Sequence, residues 1–286
     1  MGRDQDEGGA PSERHRRGRQ KGENMLGAIV GDMVGSVYEG RGKAIKTLGF
    51  PLFSQYSHWT DDTVLTVAVA DSLLNGRPYG ETIRAYALGH PHAGYGHRFG
   101  QWFHTPGAGP YNSYGNGSAM RVSPVGWAFE TLEETLAEAR RSAGVTHSHP
   151  EGIKGAQSVA AAIFLARKGS TRAGIREALE QRFGYDLHRT YEEIQPSYAF
   201  DSSCQGSVPE ALICALTSTS FEDAVRRAVA LGGDADTQGA IAGSVAEALY
   251  GGVPTGIVKE ARARLSPEFT IILDEFRERY PVVPLK

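Results

Sequence analysis

From Met25 onwards, apolar residues recur at intervals of three and four along most of the chain. That spacing places them on one face of an α-helix, whereas a half-buried strand would alternate apolar and polar residues. No run of strand length with such alternation interrupts the pattern. We therefore expect a single all-α domain over residues 25–286.

The same periodicity predicts where the helices lie. One long stretch, His90 to Asn116, is instead rich in glycine and aromatic residues and is expected to be a loop. A loop of that length in a compact domain is usually functional. The first predicted helix starts at Met25, and the others span residues 62–74, 81–88, 124–129, 132–143, 150–168, 171–183, 208–217, 221–231, 237–250, 256–265 and 267–280.

Small residues follow one face of two of these helices. The first predicted helix carries Gly27, Gly31 and Gly35, and the helix over 237–250 has a similar face of glycine and alanine. A face without large side chains lets a neighbouring backbone approach closely. Both helices are therefore suited to tight packing.

The segment over residues 1–24 contains several arginines among glycine, serine and acidic residues, with almost no apolar side chain. Such a segment cannot bury a core, so we expect a disordered N-terminal extension. It also has no apolar stretch of the kind that a secretory signal requires.

Charge and composition narrow the function classes. A net charge of -3 provides no basic field for nucleic acid, and no apolar run approaches the roughly 20 residues of a membrane span. Two cysteines are too few for a disulfide framework, which favours a reducing compartment. We expect a cytoplasmic protein, a monomer by default, without nucleic-acid or membrane partners.

Two acidic clusters stand at predicted helix starts. Thr60, Asp61 and Asp62 precede the second helix, and Asp234, Asp236 and Thr237 precede the helix over 237–250. Each cluster taken alone could simply cap its helix. If the clusters met, however, four carboxylates would repel one another unless protons or cations entered.

Cations are the economical solution, because oxygen ligands without histidine or cysteine select hard ions. Mg²⁺ and Mn²⁺ fit best, Ca²⁺ is compatible, and Zn²⁺ is less suited. A pair of such ions could activate water for hydrolysis near neutral pH.

These segments resemble the ADP-ribosylglycohydrolase family, which contains the dinitrogenase reductase-activating glycohydrolase. The resemblance covers nearly all of residues 25–280 and implies a single-domain orthogonal helical bundle with a dinuclear Mg²⁺ or Mn²⁺ centre at the base of a cleft. The matching landmarks are Gly27 to Asp32 with Gly35 and Glu39, Thr60 to Thr63, Gly115 to Arg121, Thr146 to Ser148, and Gly233 to Gly239.

The resemblance also implies roles for individual residues. Glu39 would act near the metals, and a catalytic role would fall to it together with Asp61, Asp62 and Asp236. The implied metal ligands are Thr60, Asp61, Asp62, Asp234, Asp236 and Thr237. The implied contacts to ADP-ribose are Gly115, Asn116, Gly117, Ser118, Met120 and His147, to which the aromatic loop adds Tyr114 as a stacking candidate.

Other interpretations of these residues stand beside the family roles. Gly115 to Gly117 could form a plain tight turn, and Glu39 could be a solvated charge at the end of the first helix. Aromatic residues such as Tyr114 are more often part of a core than of an adenine site.

The resemblance predicts hydrolysis of the bond between ribose C1 and a modified protein side chain, with ADP-ribose as product. Alternatives are hydrolysis of a small ADP-ribosyl compound and a module that binds ADP-ribose without cleaving it. Arginine, serine, threonine and glutamine linkages are all compatible with the sequence.

Overall fold

The computed structural model describes residues 23–40 and 42–282. Every regular element in this part of the chain is a helix, and the β pairing there is one isolated antiparallel bridge between Gly115 and Ser203. The all-α prediction is confirmed. The helices are α1 (Leu26–Gly35), α2 (Asp61–Asn75), α3 (Tyr79–Gly89), α4 (His97–His104), α5 (Gly117–Met120), α6 (Ser123–Ala128), α7 (Leu132–Gly144), α8 (Pro150–Arg167), α9 (Arg172–Phe183), α10 (Tyr191–Ile194), α11 (Cys204–Thr217), α12 (Phe221–Val229), α13 (Ala235–Tyr250), α14 (Thr255–Arg262) and α15 (Pro267–Arg279).

The antiparallel pair α1 and α13 forms the centre of the fold. A Cβ atom added at Gly31 would lie 1.9 Å from the carbonyl oxygen of Gly239, and one added at Gly35 would lie 2.3 Å from that of Ala235. No side chain fits in so narrow a gap. The predicted tight packing of the two small faces is thus confirmed, and it sets the end of α1 beside the start of α13.

Two further helices complete the frame of the site. Helix α2 packs against α1, α3 and α15, while α8 packs against α7, α11 and α13. The start of α2 is fixed to α1 because Thr60 and Thr63 each donate from backbone and side chain to the carboxylate of Asp32. The polar starts of α2 and α13 therefore converge on the end of α1.

The stretch from His90 to Asn116 contains a helix, so the expectation of a continuous loop was wrong. Helix α4 lies within it and buries Phe99, Trp102 and Phe103. The guanidinium of Arg84 donates to the carbonyl of Phe103 at 2.9 Å and secures the end of this helix. Aromatic packing and this hydrogen bond from α3 stabilise the helix. The surrounding glycines made the same stretch look like a loop in the sequence.

Helix α11 begins at Cys204, earlier than the predicted start at Val208. The hydroxyl of Ser203 accepts a hydrogen bond from the backbone N–H of Gly206 and caps the helix. Such a cap satisfies one of the free N–H groups of the first turn. Pro209 lies inside the helix.

The predicted N-terminal extension lies outside the described residues except for its last two positions. Glu23 forms ion pairs with Arg262 at 2.9 Å and with Arg277 at 3.3 Å, and Asn24 is buried. Residues 23 and 24 therefore pack against the helical body. Among the described helices, none has both the length and the apolar character needed to cross a membrane.

Candidate active site

The two predicted acidic clusters meet. Asp62 at the start of α2 and Asp236 at the start of α13 are both buried, and the hydroxyl of Thr237 donates to Asp62 Oδ2 at 3.4 Å. Residues separated by about 175 positions in the chain thus share one site. The packing of α1 between the two helix starts brings them together.

Carboxylates form two overlapping triads at this point. One oxygen from each of Asp32, Asp62 and Asp236 lies within 4.8 Å of the others, and the same holds for Glu39, Asp234 and Asp236. Asp236 belongs to both triads. A carboxylate shared between two groups of oxygen donors suits a pair of adjacent cations, which commonly share a ligand in dinuclear sites.

Helix capping accounts for only one member of the clusters. Thr60 caps α2 by accepting from the backbone N–H of Asp62 at 3.3 Å. Asp234 is the N-cap of α13, but its side chain makes no capping hydrogen bond. Its carboxylate instead accepts from Asn116 Nδ2 at 2.9 Å. Apart from Asp236 Oδ1, which accepts from the backbone N–H of Thr237 at 2.8 Å, the carboxylate oxygens of both clusters are therefore not used in capping.

The electrostatics of the cluster favour bound protons or cations. Burial raises the pKa of Asp62 and Asp236 well above the usual range, and neighbouring carboxylates raise it further. Burial, with the charge of Asp32 next, raises the pKa of Asp61 to about 8. Asp62 Oδ1 is buried and has no hydrogen-bond donor among the described residues. Hard divalent cations fit this set of oxygen donors, because they would supply the missing charge and ligation.

Asp32 joins the site although the sequence assigned it no role. It is fully buried in α1, and its carboxylate holds Thr60 by a bond of 2.7 Å from the hydroxyl. An acidic residue inside an otherwise apolar helix was the available signal, since a buried carboxylate needs partners. Asp32 both orients Thr60 and adds an oxygen to the first triad.

A cavity of about 440 Å³, which we call the glycine-turn cavity, opens beside the carboxylates. Its wall includes Gly115, Asn116, Gly117, Met120 and His147, all predicted contacts to ADP-ribose. The other lining residues were not among the predicted contacts, although Phe99 and Tyr111 belong to the aromatic loop that was considered for stacking. These other residues are Leu65, Gly94, Gly96, His97, Arg98, Phe99, Tyr111, Ser113, Arg121, Phe200 and Ser202.

Two predicted ligand contacts do not line this cavity. Ser118 is fully buried behind the turn, where its hydroxyl donates to the carbonyl of Gly152 at 2.7 Å. Tyr114 is half-exposed and packs edge-on against His149, with ring centroids 5.5 Å apart. The carbonyl of Tyr114 accepts from the N–H of Cys204 at 2.8 Å, and this bond fixes the backbone so that the Tyr114 side chain lies outside the cavity.

A chain of hydrogen bonds fixes His147 in the cavity wall. Arg121 Nη2 donates to Thr146 Oγ1 at 2.9 Å, and that hydroxyl lies 2.7 Å from His147 Nδ1. Among the described residues, His147 Nδ1 is the acceptor within reach of this hydroxyl's proton, so we assign the proton to that bond, which leaves the ring proton on Nε2. A Cβ atom at Gly117 would lie 3.3 Å from Nε2, so this N–H faces the turn at close range.

The charge of Arg121 reaches the same place. The side chain is fully buried, and its Nε and Nη1 have no acceptor among the described residues. Burial lowers the pKa of Arg121 to about 10, so it stays charged at neutral pH. Burial and the charges of Arg121 and Arg98 lower the pKa of His147 well below its usual value. The cavity thus offers a neutral imidazole donor above a buried cation.

Over the described residues, fold and site together define an all-helical body whose cleft joins a group of buried carboxylates to a cavity with polar and apolar walls. The carboxylates could hold divalent cations, and the cavity could hold an anionic, hydroxyl-rich ligand.

Comparison with known proteins specifies the family. The chain belongs to the ADP-ribosylglycohydrolase family, whose pattern matches residues 16–280. This result confirms the resemblance found in the sequence, and it identifies a glycohydrolase.

Individual relatives agree with that assignment. Human ADP-ribosylhydrolase ARH3 is 27% identical, with 79% of this chain and 84% of the relative covered. ADP-ribosylarginine hydrolase Tri1 of Pseudomonas putida (strain GB-1) is 27% identical, with coverage of 91% and 78%. A solved structure of an ADP-ribosylglycohydrolase-related protein complex is similar with a TM-score of 0.70 and 28% identity, over 90% of this chain and 96% of that one.

Proposed function

We propose that this protein hydrolyses the bond between ribose C1 of ADP-ribose and a modified protein side chain, with two Mg²⁺ or Mn²⁺ ions as cofactors. The observation that carries the proposal is the pair of carboxylate triads, joined through Asp236, whose members other than Asp32 line the glycine-turn cavity. The family and its relatives support ADP-ribosyl hydrolysis as the reaction class.

The ligands of the ions would come from both helix starts and from the end of α1. Bound ions would orient the ribose hydroxyls and activate the attacking water. The residues that would hold the ions are Thr60, Asp61, Asp62, Asp234, Asp236 and Thr237. Asp32 would add an oxygen in the first triad.

ADP-ribose would occupy the glycine-turn cavity. The backbone of Gly115 to Gly117 leaves N–H groups free of side-chain cover, and His147 would offer its Nε2 proton to a ligand oxygen. The buried charge of Arg121 favours the negative diphosphate in the same cavity. Ser118 and Tyr114 would stabilise the glycine turn without lining the cavity, Ser118 through its bond to Gly152 and Tyr114 through its contact with His149.

Glu39 would donate a proton to the leaving group. It is partly exposed and lies within the second triad, beside Asp234 and Asp236. Cleavage of the glycosidic bond passes through an oxocarbenium-like transition state, in which the departing atom gains electron density. A carboxyl group in reach of that atom can protonate it as a general acid.

The test is a panel of peptides that carry ADP-ribose on arginine, serine, threonine or glutamine, assayed for release with and without a chelator. We expect release from at least one peptide, and its loss on chelation. Asp236→Asn should lower kcat/KM by roughly 100-fold or more, because it replaces a carboxylate oxygen and removes the negative charge of the residue that both triads share. Asp186→Asn, an exposed carboxylate outside the site, is the control.

Each other outcome points to an alternative. Release only from ADP-ribose 1''-phosphate or acetylated ADP-ribose would replace the protein substrate with a small compound. Metal-dependent binding of ADP-ribose without release from any substrate would indicate a binding module. Full activity of both the chelated protein and Asp236→Asn would refute the proposal.

A further inference from the structure

A second cavity adjoins the carboxylates. It has a volume of about 680 Å³ and shares Glu39, Asp61, Gly94 and Asp236 with the glycine-turn cavity. We call it the histidine cavity, because the rest of its wall contains three imidazoles. Apart from the four shared residues, its lining is Ser36, Lys43, His58, Trp59, Thr60, Gly89, His90, Pro91, His92 and Ala93.

A hydrolase that cuts one bond must accommodate the groups on both sides of it. In the proposed function, ADP-ribose fills the glycine-turn cavity and the scissile bond lies at the carboxylates. The shared wall of Glu39, Asp61 and Asp236 is where the two cavities adjoin. The atoms beyond ribose C1 therefore have the histidine cavity as their nearest enclosed space.

We propose that the histidine cavity binds the leaving side of the substrate, namely the modified side chain with the peptide that flanks it. This inference rests on the proposed function and deepens it, because it gives the protein part of the substrate its own subsite. A space of this size is in the range that holds a ligand well beyond a single side chain.

The lining has the chemistry to recognise a peptide. His58 and His92 are exposed and can donate to peptide carbonyls or accept from peptide N–H groups. Trp59 is partly exposed, and edge contacts to Phe269 at 5.2 Å and His90 at 5.6 Å hold its ring. A fixed indole offers an apolar surface to a side chain at little cost in conformational entropy.

Charge separates the two cavities as well. The carboxylates of the histidine cavity are the three shared ones, and its other ionisable groups within the described lining are Lys43 and the imidazoles. Once cations neutralise the shared carboxylates, the rest of the wall is neutral to basic. It therefore suits a peptide with hydroxyl or acidic residues beside the modified position.

The test compares two substrates that contain the same glycosidic bond. One is a peptide with ADP-ribose on the side chain that the panel finds to be cleaved, or on arginine if the panel finds none, and the other is the N-acetyl amide of that single ADP-ribosylated amino acid. The variant is His58→Ala combined with His92→Ala in the full chain. Both positions are exposed, so the replacements remove contacts with little effect on folding.

In the double variant we expect kcat/KM for the peptide to fall about tenfold, which corresponds to about 1.4 kcal/mol, with a change of at most about twofold for the amino-acid derivative. His188→Ala removes an exposed imidazole outside both cavities and should leave both values unchanged. Phe200→Ala, in the glycine-turn cavity alone, should lower both values to a similar extent. Equal losses for both substrates in the double variant, or none for the peptide, would overturn the subsite.

Binding measured by fluorescence anisotropy makes the result independent of turnover. The double variant should bind the peptide about tenfold more weakly, but not the amino-acid derivative. If the double variant shows this selective loss of peptide affinity but the unmodified protein cleaves neither substrate, the hydrolysis is refuted and the subsite stands. If the peptide and the derivative bind with equal affinity to all variants, the subsite is refuted whether or not hydrolysis occurs.

Discussion

Single side chains in the cavity wall act through their neighbours as much as by direct contact. His147 can serve as a donor only while its proton stays on Nε2, and that depends on a hydroxyl which Arg121 engages from the other side. The acceptor that the described residues offer to the proton of this hydroxyl is Nδ1, so we assign Thr146 as the donor in that bond. Thr146 thus positions His147.

Replacement of Thr146 by valine tests this arrangement. Valine keeps the shape of the side chain but lacks the hydroxyl proton that Thr146 donates to Nδ1. His147 should therefore populate both tautomers. We expect ADP-ribose affinity to fall roughly fivefold to tenfold, as for the loss of one hydrogen bond of about 1 kcal/mol. Long-range ¹⁵N–¹H correlation spectra, assigned with His147→Gln, report the tautomer directly.

A matched control is Thr82→Val. Thr82 is also buried, and among the described residues its hydroxyl bonds to the carbonyl of Pro78 alone, at 3.2 Å. It should leave both the tautomer and the affinity unchanged. If His147 in Thr146→Val retains its proton on Nε2, the proposed relay is incorrect.

Glu247 is a buried carboxyl outside the site and makes stability depend on pH. It accepts from the backbone N–H of Gly27 at 2.9 Å, at the start of α1, and burial raises its pKa from 4.5 to about 8. The folded protein therefore retains this proton at pH values where the unfolded chain has lost it. Stability from this group is complete below about pH 4.5 and declines as the pH rises to about 8.

Glu247→Gln should remove that dependence, since its amide oxygen still accepts from Gly27 but does not ionise. Between pH 5 and 8, the free energy of unfolding of the unmodified protein should fall relative to the variant by roughly 3–5 kcal/mol. Urea unfolding at several pH values measures the difference. Glu275→Gln, at an exposed position, should track the unmodified protein. A constant difference between Glu247→Gln and the unmodified protein would contradict this account.

At the scale of elements, the sequence predicted most of the helices because their apolar faces repeat clearly. It also predicted the tight faces of α1 and α13, since glycine spacing is directly visible. Helix α4 was missed because Phe99, Trp102 and Phe103 stand among glycines, and the bonds from Arg84 that secure the helix come from another element. Contacts between distant elements leave no local pattern.

The close approach of α1 and α13 makes Gly31→Ala a severe change. The new Cβ would lie 1.9 Å from a backbone carbonyl of α13, which cannot rotate away as a side chain could. We expect a loss of at least about 2–3 kcal/mol in the free energy of unfolding. Activity should also fall, because a displaced α1 moves Asp32 away from Asp236. Thermal and urea unfolding, together with the ADP-ribose release assay, measure both effects.

Gly100→Ala is the control for the intrinsic effect of the substitution. Gly100 lies inside α4 with nothing within 4 Å of an added Cβ atom. Alanine there should stabilise the protein by about 0.5–1 kcal/mol, since it restricts the unfolded chain. Similar effects of the two substitutions would mean that α1 and α13 can separate without cost.

At the scale of the whole molecule, the site exists only because distant segments converge. The sequence identified Thr60 to Asp62, Asn116 and Asp234 to Thr237 one by one, and the resemblance joined them. It did not reveal that Asp236 belongs to two triads, that Arg121 lies beneath the ligand cavity, or that a second cavity adjoins the first. Those relations depend on how α1, α2, α5 and α13 pack, which no single motif encodes.

This convergence couples cation binding to the stability of the whole fold. Without cations, the buried carboxylates oppose the packing of α2 and α13 against α1, because like charges share a desolvated space. A ligand that binds only the folded state at 100 times its dissociation constant adds about 2.7 kcal/mol of stability. For a domain of this size, Mg²⁺ should therefore raise Tm by roughly 5–10 °C, as measured by calorimetry with and without chelator.

Asp236→Asn should weaken both the repulsion between carboxylates in the metal-free protein and the stabilisation that Mg²⁺ provides. The variant lacks one of the repelling carboxylates, so its metal-free Tm should equal or exceed that of the metal-free unmodified protein, while Mg²⁺ should produce little further rise. Asp186→Asn should keep the full response to Mg²⁺, since it lies outside the cluster. A metal-free Asp236→Asn protein that is clearly less stable would mean that Asp236 holds the fold together through its own hydrogen bonds. In that case the two triads would be part of the packing, and a cation would not be needed to reconcile their charges.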